Sequence, residues 1–146
     1  VVPGNKISSE AVSIYDDQRE PSPRPHFLND WLKNPNGNVS AIVDSNGMCH
    51  GFGRIRPCIL EDNNQGWRIG PLLADTPPLA ELLIRELVGD LDSQILLDCS
   101  NLNPYANYLL SSLGFEEISK TYRMYKGIQP TCPMNQVYGL ACLELG

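Results

Sequence analysis

Asp98 is the side chain best placed to move a proton. It follows the apolar run Ile95-Leu96-Leu97, and α/β sheets place ligands beyond the carboxyl ends of their strands. A carboxylate there can take a proton from a substrate, or it can be satisfied by a neighbouring helix end or arginine. Tyr105 and Tyr108 stand three apart on the next helical stretch. Their phenols can act as acids, or they can pack with a wet hydroxyl. Arg54 and Arg56 share one face of a strand and could meet an anionic ligand, water or a carboxylate. Cys99, Ser100, His26 and His50 are a nucleophile-and-base set by type alone, because no spacing brings them together, and Cys99 reads as a core cysteine. Five cysteines (Cys49, Cys58, Cys99, Cys132, Cys142) without a C-x-x-C pair, and only two histidines, predict reduced thiols in the cytoplasm and no metal site.

These residues need a scaffold. Ser8 or Ser9 caps a first helix running to about Gln18, and the proline-rich stretch from Glu20 to Pro25 stops it. Phe27, Leu28, Trp31 and Leu32 make the apolar stripe of a second helix. At Val39 the period becomes two, and Ser45-Asn46-Gly47 turns the chain into a second strand from Met48 to Leu60. Phe52, Arg54 and Arg56 then share one face of that strand, with Gly51, Gly53 and Ile55 on the other. Trp67 to Ala74 reads as a strand, Pro77-Pro78 opens a helix carrying Ala80, Leu83, Ile84, Leu87, Val88 and Leu91 on one face, and Gln94 to Cys99 follows as a strand covered on both sides. This is a βαβ unit, with a right-handed crossover expected. A helix from Asn103 to Leu113 ends at Gly114, and Phe115 to Tyr125 and Gln136 to Leu145 are predicted as two last antiparallel strands. The fold class is α/β: a mixed, largely antiparallel sheet with a central βαβ unit and helices on both faces.

A length of 146 residues fits one domain, spanning 1–146. A net charge of -6 gives no field for phosphate backbones or anionic lipid, so neither nucleic acid nor membrane is an expected partner. The longest apolar runs are far shorter than the roughly 20 residues that span a bilayer.

The element order and the segment Asn103 to Phe115 resemble the GNAT acyltransferase superfamily, whose N-x-x-A-x-x-L-Y-x-x-x-G-F pattern is met at Asn103, Ala106, Leu109, Gly114 and Phe115. Arg24-Pro25-His26-Phe27-Leu28 with Trp31, Arg68-Ile69-Gly70-Pro71-Leu72 with Ala74-Asp75, Arg123-Met124-Tyr125-Lys126-Gly127, and Leu143-Glu144-Leu145-Gly146 are similar to a GNAT-like domain that forms the second half of tandem acetyltransferases. That likeness implies one C-terminal half of a longer chain, packed against a preceding GNAT domain or as a homodimer.

The resemblance implies acetyl-CoA as co-substrate and transfer of acetyl to a primary amine of a small molecule or peptide. The alternative it implies is a non-catalytic module that supports a catalytic partner domain. In such a site the pantetheine arm lies between two diverging parallel strands, and the next helix receives the pyrophosphate. Cofactor contacts would then fall to Leu72, Leu73, Ala74, Asp75, Ala80, Asn103 and Asn107, with Asp98 as base and Tyr108 as acid. Gly70-Pro71 inside a central strand requires a bulge or gap. Two positions depart from the family pattern. The usual Q/R-x-x-G-x-G/A loop is replaced by Asp75-Thr76-Pro77-Pro78-Leu79-Ala80, where Asp75 reads more simply as a helix N-cap, and Leu110 stands where the acid tyrosine aligns.

Overall fold

The computed structural model describes residues 1–143. Its elements, in chain order, are β1 (Val2–Pro3), α1 (Ser9–Asp17), α2 (Pro25–Lys33), β2 (Asn38–Val43), β3 (Cys49–Ile59), β4 (Gln65–Ala74), α3 (Pro77–Val88), β5 (Ile95–Leu97), α4 (Pro104–Ser112) and β6 (Val137–Gly139). Single 3-10 turns at Gly4–Lys6 and Met134–Gln136 precede α1 and β6. The mixed α/β class read from the sequence is the class observed.

Six strands make one sheet. Its path is β1-β2-β3-β4-β5, and β6 also pairs with β4. All neighbours are antiparallel except β4 and β5, the parallel pair that α3 connects. Alternation along the strands sends side chains to two separate cores. Phe52, Leu73 and Val137 pack under α1 and α2 with Val12, Tyr15 and Leu28, while Leu72, Ile55 and Tyr138 pack under α3 and α4 with Leu83, Leu87, Ala106 and Leu109. Each leucine fully buried this way contributes about 2 kcal/mol. Gly51 and Gly53 lie on the α3 face, and a Cβ at Gly53 would come within 2.9 Å of the Leu87 Cδ1.

Local chemistry explains the helix ends. Ser8 caps α1 by accepting from the Ala11 N–H at 3.3 Å. Asn103 caps α4 by accepting from the N–H groups of Tyr105 and Ala106, both at 3.1 Å. Gly114, at φ +85°, takes the left-handed position that closes α4.

The sequence reading of the C-terminal region is corrected. Phe115 to Tyr125 is not a strand: it carries no ladder, and Ile118, Tyr122 and Met124 are exposed. A strand needs a neighbour to satisfy its backbone, and β5, the adjacent edge, is only three residues long. Among the described residues the last strand is Val137–Gly139 rather than Gln136 to Leu145, and the final two positions of that reading, like most of the Leu143-to-Gly146 match, lie outside the described residues. Being an edge, β5 is also half-buried rather than covered on both faces.

Candidate active site

Gly70 and Pro71 form the centre of the site. Gly53 pairs with Leu72 and Ile55 with Ile69, so Arg54 alone on β3 opposes both residues on β4. The bulge demanded by a proline in a central strand is therefore present, and the Gly70–Pro71 bond is cis. The Trp31 indole donates to the Gly70 carbonyl at 3.1 Å and fixes α2 to the bulge.

The bulge divides the outer edge of β4. Trp67 to Ile69 pair in parallel with Ile95 to Leu97 of β5, whereas Leu72 and Leu73 pair with Gly139 and Val137 of β6. β5 and β4 thus separate after Ile69, and residues 137–140 fill the opening. Gly139 is wedged there: a Cβ on it would meet Leu72 Cβ at 3.1 Å and Leu97 Cγ at 3.5 Å. The Leu140 N–H donates to the Asp98 carbonyl at 2.8 Å, and the Asn103 side-chain amide donates to the Val137 carbonyl at 2.9 Å. Leu72, Leu73 and Ala74 are fully buried and pair with β3, and the first two also pair with β6. Tyr138 points into the α3–α4 core, 1 % exposed, with no partner for its hydroxyl among the described residues, and burial pushes its pKa up to about 12.

Asp75 is not the N-cap of α3. Thr76 occupies the cap position of α3 without a side-chain bond. The Asp75 carboxylate instead accepts from Tyr15 Oη at 2.7 Å, Arg19 Nη2 at 2.7 Å and His50 Nδ1 at 2.8 Å. Burial pushes this carboxyl up, but the Tyr15 and His50 bonds and the Arg19 charge outweigh it and hold it below the usual range. His50 is raised, first by its bond to Asp75 and further by Asp44, whose carboxylate lies 3.5 Å from Nε2. In the first three positions of α3 only Leu79 carries an N–H, because Pro77 and Pro78 have none. Ala80, at the next position, is fully buried in the α3 core.

Asp98 is ion-paired and hydrogen-bonded to Arg68 Nη1. This is the satisfied-carboxylate alternative that the sequence left open. Tyr108 is 81 % exposed, and no hydrogen bond joins it to Asp98. Asn107 is exposed and accepts from the Cys99 thiol at 3.5 Å. Asn103, buried, is the cap of α4 and the tether of β6. The Tyr15–Arg19–His50 set around Asp75 was missed in the sequence, although Tyr15 and Arg19 stand four apart, the spacing of one helix face. Among the described residues no three His, Cys, Asp or Glu side chains group to hold a metal ion, and no helix is long and apolar enough to cross a membrane.

Comparison with known proteins settles the family. A family model described as an acetyltransferase (GNAT) domain matches residues 12–139. The chain belongs to the GNAT acetyltransferase family. It is 28 % identical over 139 residues to the Holothin acyltransferase of Pseudoalteromonas sp. (strain SANK 73390), covering 94 % of this chain and 45 % of that protein. The GNAT chain described here thus spans less than half the length of that relative. Among solved structures, its fold matches the aminoglycoside 6'-N-acetyltransferase AAC(6')-Ih from Acinetobacter baumannii, with a TM-score of 0.58 at 11 % identity over 88 % of this chain and 97 % of that one. It also matches glucosamine-6-phosphate N-acetyltransferase from Arabidopsis thaliana, with a TM-score of 0.56 at 13 % identity over 79 % of this chain and 87 % of that one.

Proposed function

We propose that this GNAT chain serves acetyl transfer from acetyl-CoA to a primary amine of a small molecule or peptide, as the module that supports a catalytic partner domain. The observation that carries this reading is the occupied opening between β4 and β5. A pantetheine arm laid against Leu72 and Leu73 needs their free backbone edge, and β6 already uses it. Three further features agree. Asp75 and the two prolines leave a poor anion site at α3, Asp98 is held by Arg68, and Tyr108 faces solvent. The exposed apolar residues Ile118, Tyr122, Met124 and Ile128 give a preceding GNAT domain, or a second copy, a surface to cover. Unpaired thiols at all five cysteines suit a reducing compartment, the cytoplasm.

One observation favours a second reading, in which the chain itself carries out the transfer. β4 and β5 do diverge at a bulge, as an acyl-CoA slot requires, and withdrawal of residues 137–140 would open it. Calorimetric titration of acetyl-CoA into this chain separates the two. The supporting role predicts no heat at millimolar ligand, and binding in the micromolar range would make the chain an acetyl-CoA-binding enzyme domain.

A further inference from the structure

The face of β3 that carries Phe52 also carries Arg54 and Arg56, and both reach α2. The Arg54 and Arg56 Cζ atoms each lie 5.0 Å from the centre of the Trp31 ring. Arg54 is 1 % exposed and Arg56 half-buried. Carbonyls of the α2–β2 loop satisfy one nitrogen of Arg54: Nη2 donates to Asn36 at 2.7 Å and to Asn34 at 3.4 Å. The Nε atoms of both arginines are buried without a partner, and among the described residues neither arginine forms an ion pair. Burial, then the charge of Arg56, depresses the Arg54 pKa.

Two guanidinium groups on one indole, one buried and one half-buried, without a counter-ion are costly. The chain does not lack acids, with 17 Asp and Glu against 11 Lys and Arg. Its other shielded arginines have the ordinary solution: Arg19 meets Asp75, Arg24 meets Asp16, and Arg68 meets Asp98. Arg19 also has a buried Nε without a partner, but Asp75 meets its charge; among the described residues the Trp31 pair differs from these three arginines in having no counter-ion. The indole that holds the pair is itself bonded to the Gly70 carbonyl, so the charge sits beside the β4 bulge.

We propose that Arg54 and Arg56, stacked on Trp31, form a binding site for a single oxyanion group, the phosphate or carboxylate of a small-molecule ligand. An arginine fork donates paired N–H groups that match an oxyanion, and one indole holds both side chains. The site goes beyond the supporting role, because it stands whether or not this chain takes acetyl-CoA.

Trp31 is its own reporter. The test titrates sodium phosphate, and separately sodium acetate, into the full chain with Trp67→Phe as background, at ionic strength fixed with sodium chloride. A saturable change in Trp31 emission is expected with one of the two anions, and the anion that saturates first identifies the ligand group as phosphate or carboxylate. Arg56→Met keeps the stem on Trp31 and should weaken that midpoint about tenfold or more. In chloride alone the same variant should raise the thermal midpoint by about 3 °C, because it removes an unpaired, half-buried charge from the indole it shares with buried Arg54, whereas a merely structural arginine would lower it. Arg56→Lys keeps the charge and loses the fork, so it should fold like the parent and bind about tenfold more weakly. Emission that drifts linearly with both anions, an Arg56→Met midpoint equal to that of the parent, or a lowered melting point in chloride would each overturn the assignment.

Discussion

Asp75→Asn tests the network that took over the expected phosphate loop. Asparagine keeps the shape and one acceptor oxygen but presents an NH2 where Oδ2 received the His50 Nδ1–H, and it removes the charge opposite Arg19, whose side chain is 8 % exposed. Hydrogen bonds to charged groups contribute about 1.5–3 kcal/mol each. The Asp75 side chain is 30 % exposed, so water replaces part of what is lost. The net loss should be about 2.5 kcal/mol, well short of breaking a fully buried pair, and it should lower the thermal midpoint by about 5–10 °C. Because the folded carboxyl is held below its ordinary value, its stabilisation is complete above about pH 4 and is lost as pH falls through the depressed value. The gap between parent and variant should therefore be widest between about pH 5 and 6.5, narrow slightly toward pH 8 as His50 loses its proton, and close under acid. Circular dichroism melts across that range read it directly. A variant within about 0.5 kcal/mol of the parent at pH 7 would mean a solvated carboxylate and would refute the network.

The remaining predictions concern its neighbours. His50 is raised, so its stabilisation is complete below about pH 6.5 and is lost as pH rises through the folded value; the thermal midpoint should decline slightly across neutral pH, more steeply in the parent than in His50→Asn. The slope should shrink at high salt, since the ring is about a third exposed. Asn103→Ala removes the α4 cap and the tether to Val137 together and should cost about 2 kcal/mol, with Asn103→Ser, which restores only the cap, recovering about half in denaturant unfolding. Tyr138→Phe should be neutral or stabilising by up to about 1 kcal/mol, because the hydroxyl it deletes is buried without a partner; a clear loss of stability would reveal a bond that the phenol makes.

Much of the fold was legible because its signals are local. The ten apolar positions named on two helices, the period-two run at Val39 and the caps at Ser8 and Asn103 all act over a few residues. Pro71 in a strand required a bulge, and the bulge is there. The C-terminal part was not legible, because whether Phe115 to Tyr125 becomes a strand depends on an edge elsewhere, and β5 offers only three residues. Placing β6 on β4 is equally non-local. At the site, Asp98 left two outcomes open until Arg68 was seen beside it. Asp75 was read as a cap because the sequence placed it before Pro77 but could not bring Tyr15, Arg19 and His50 to it from 60, 56 and 25 residues away.

The central claim is that residues 137–140 occupy the place of the acyl-CoA arm. Calorimetry with acetyl-CoA on the parent and on Gly139→Val tests it, since a side chain at Gly139 would press on Leu72 and Leu97 and unseat β6. The parent should give no binding heat at millimolar acetyl-CoA, and any heat should appear only in the variant. Micromolar binding by the parent, unchanged in Gly139→Val, would contradict the account.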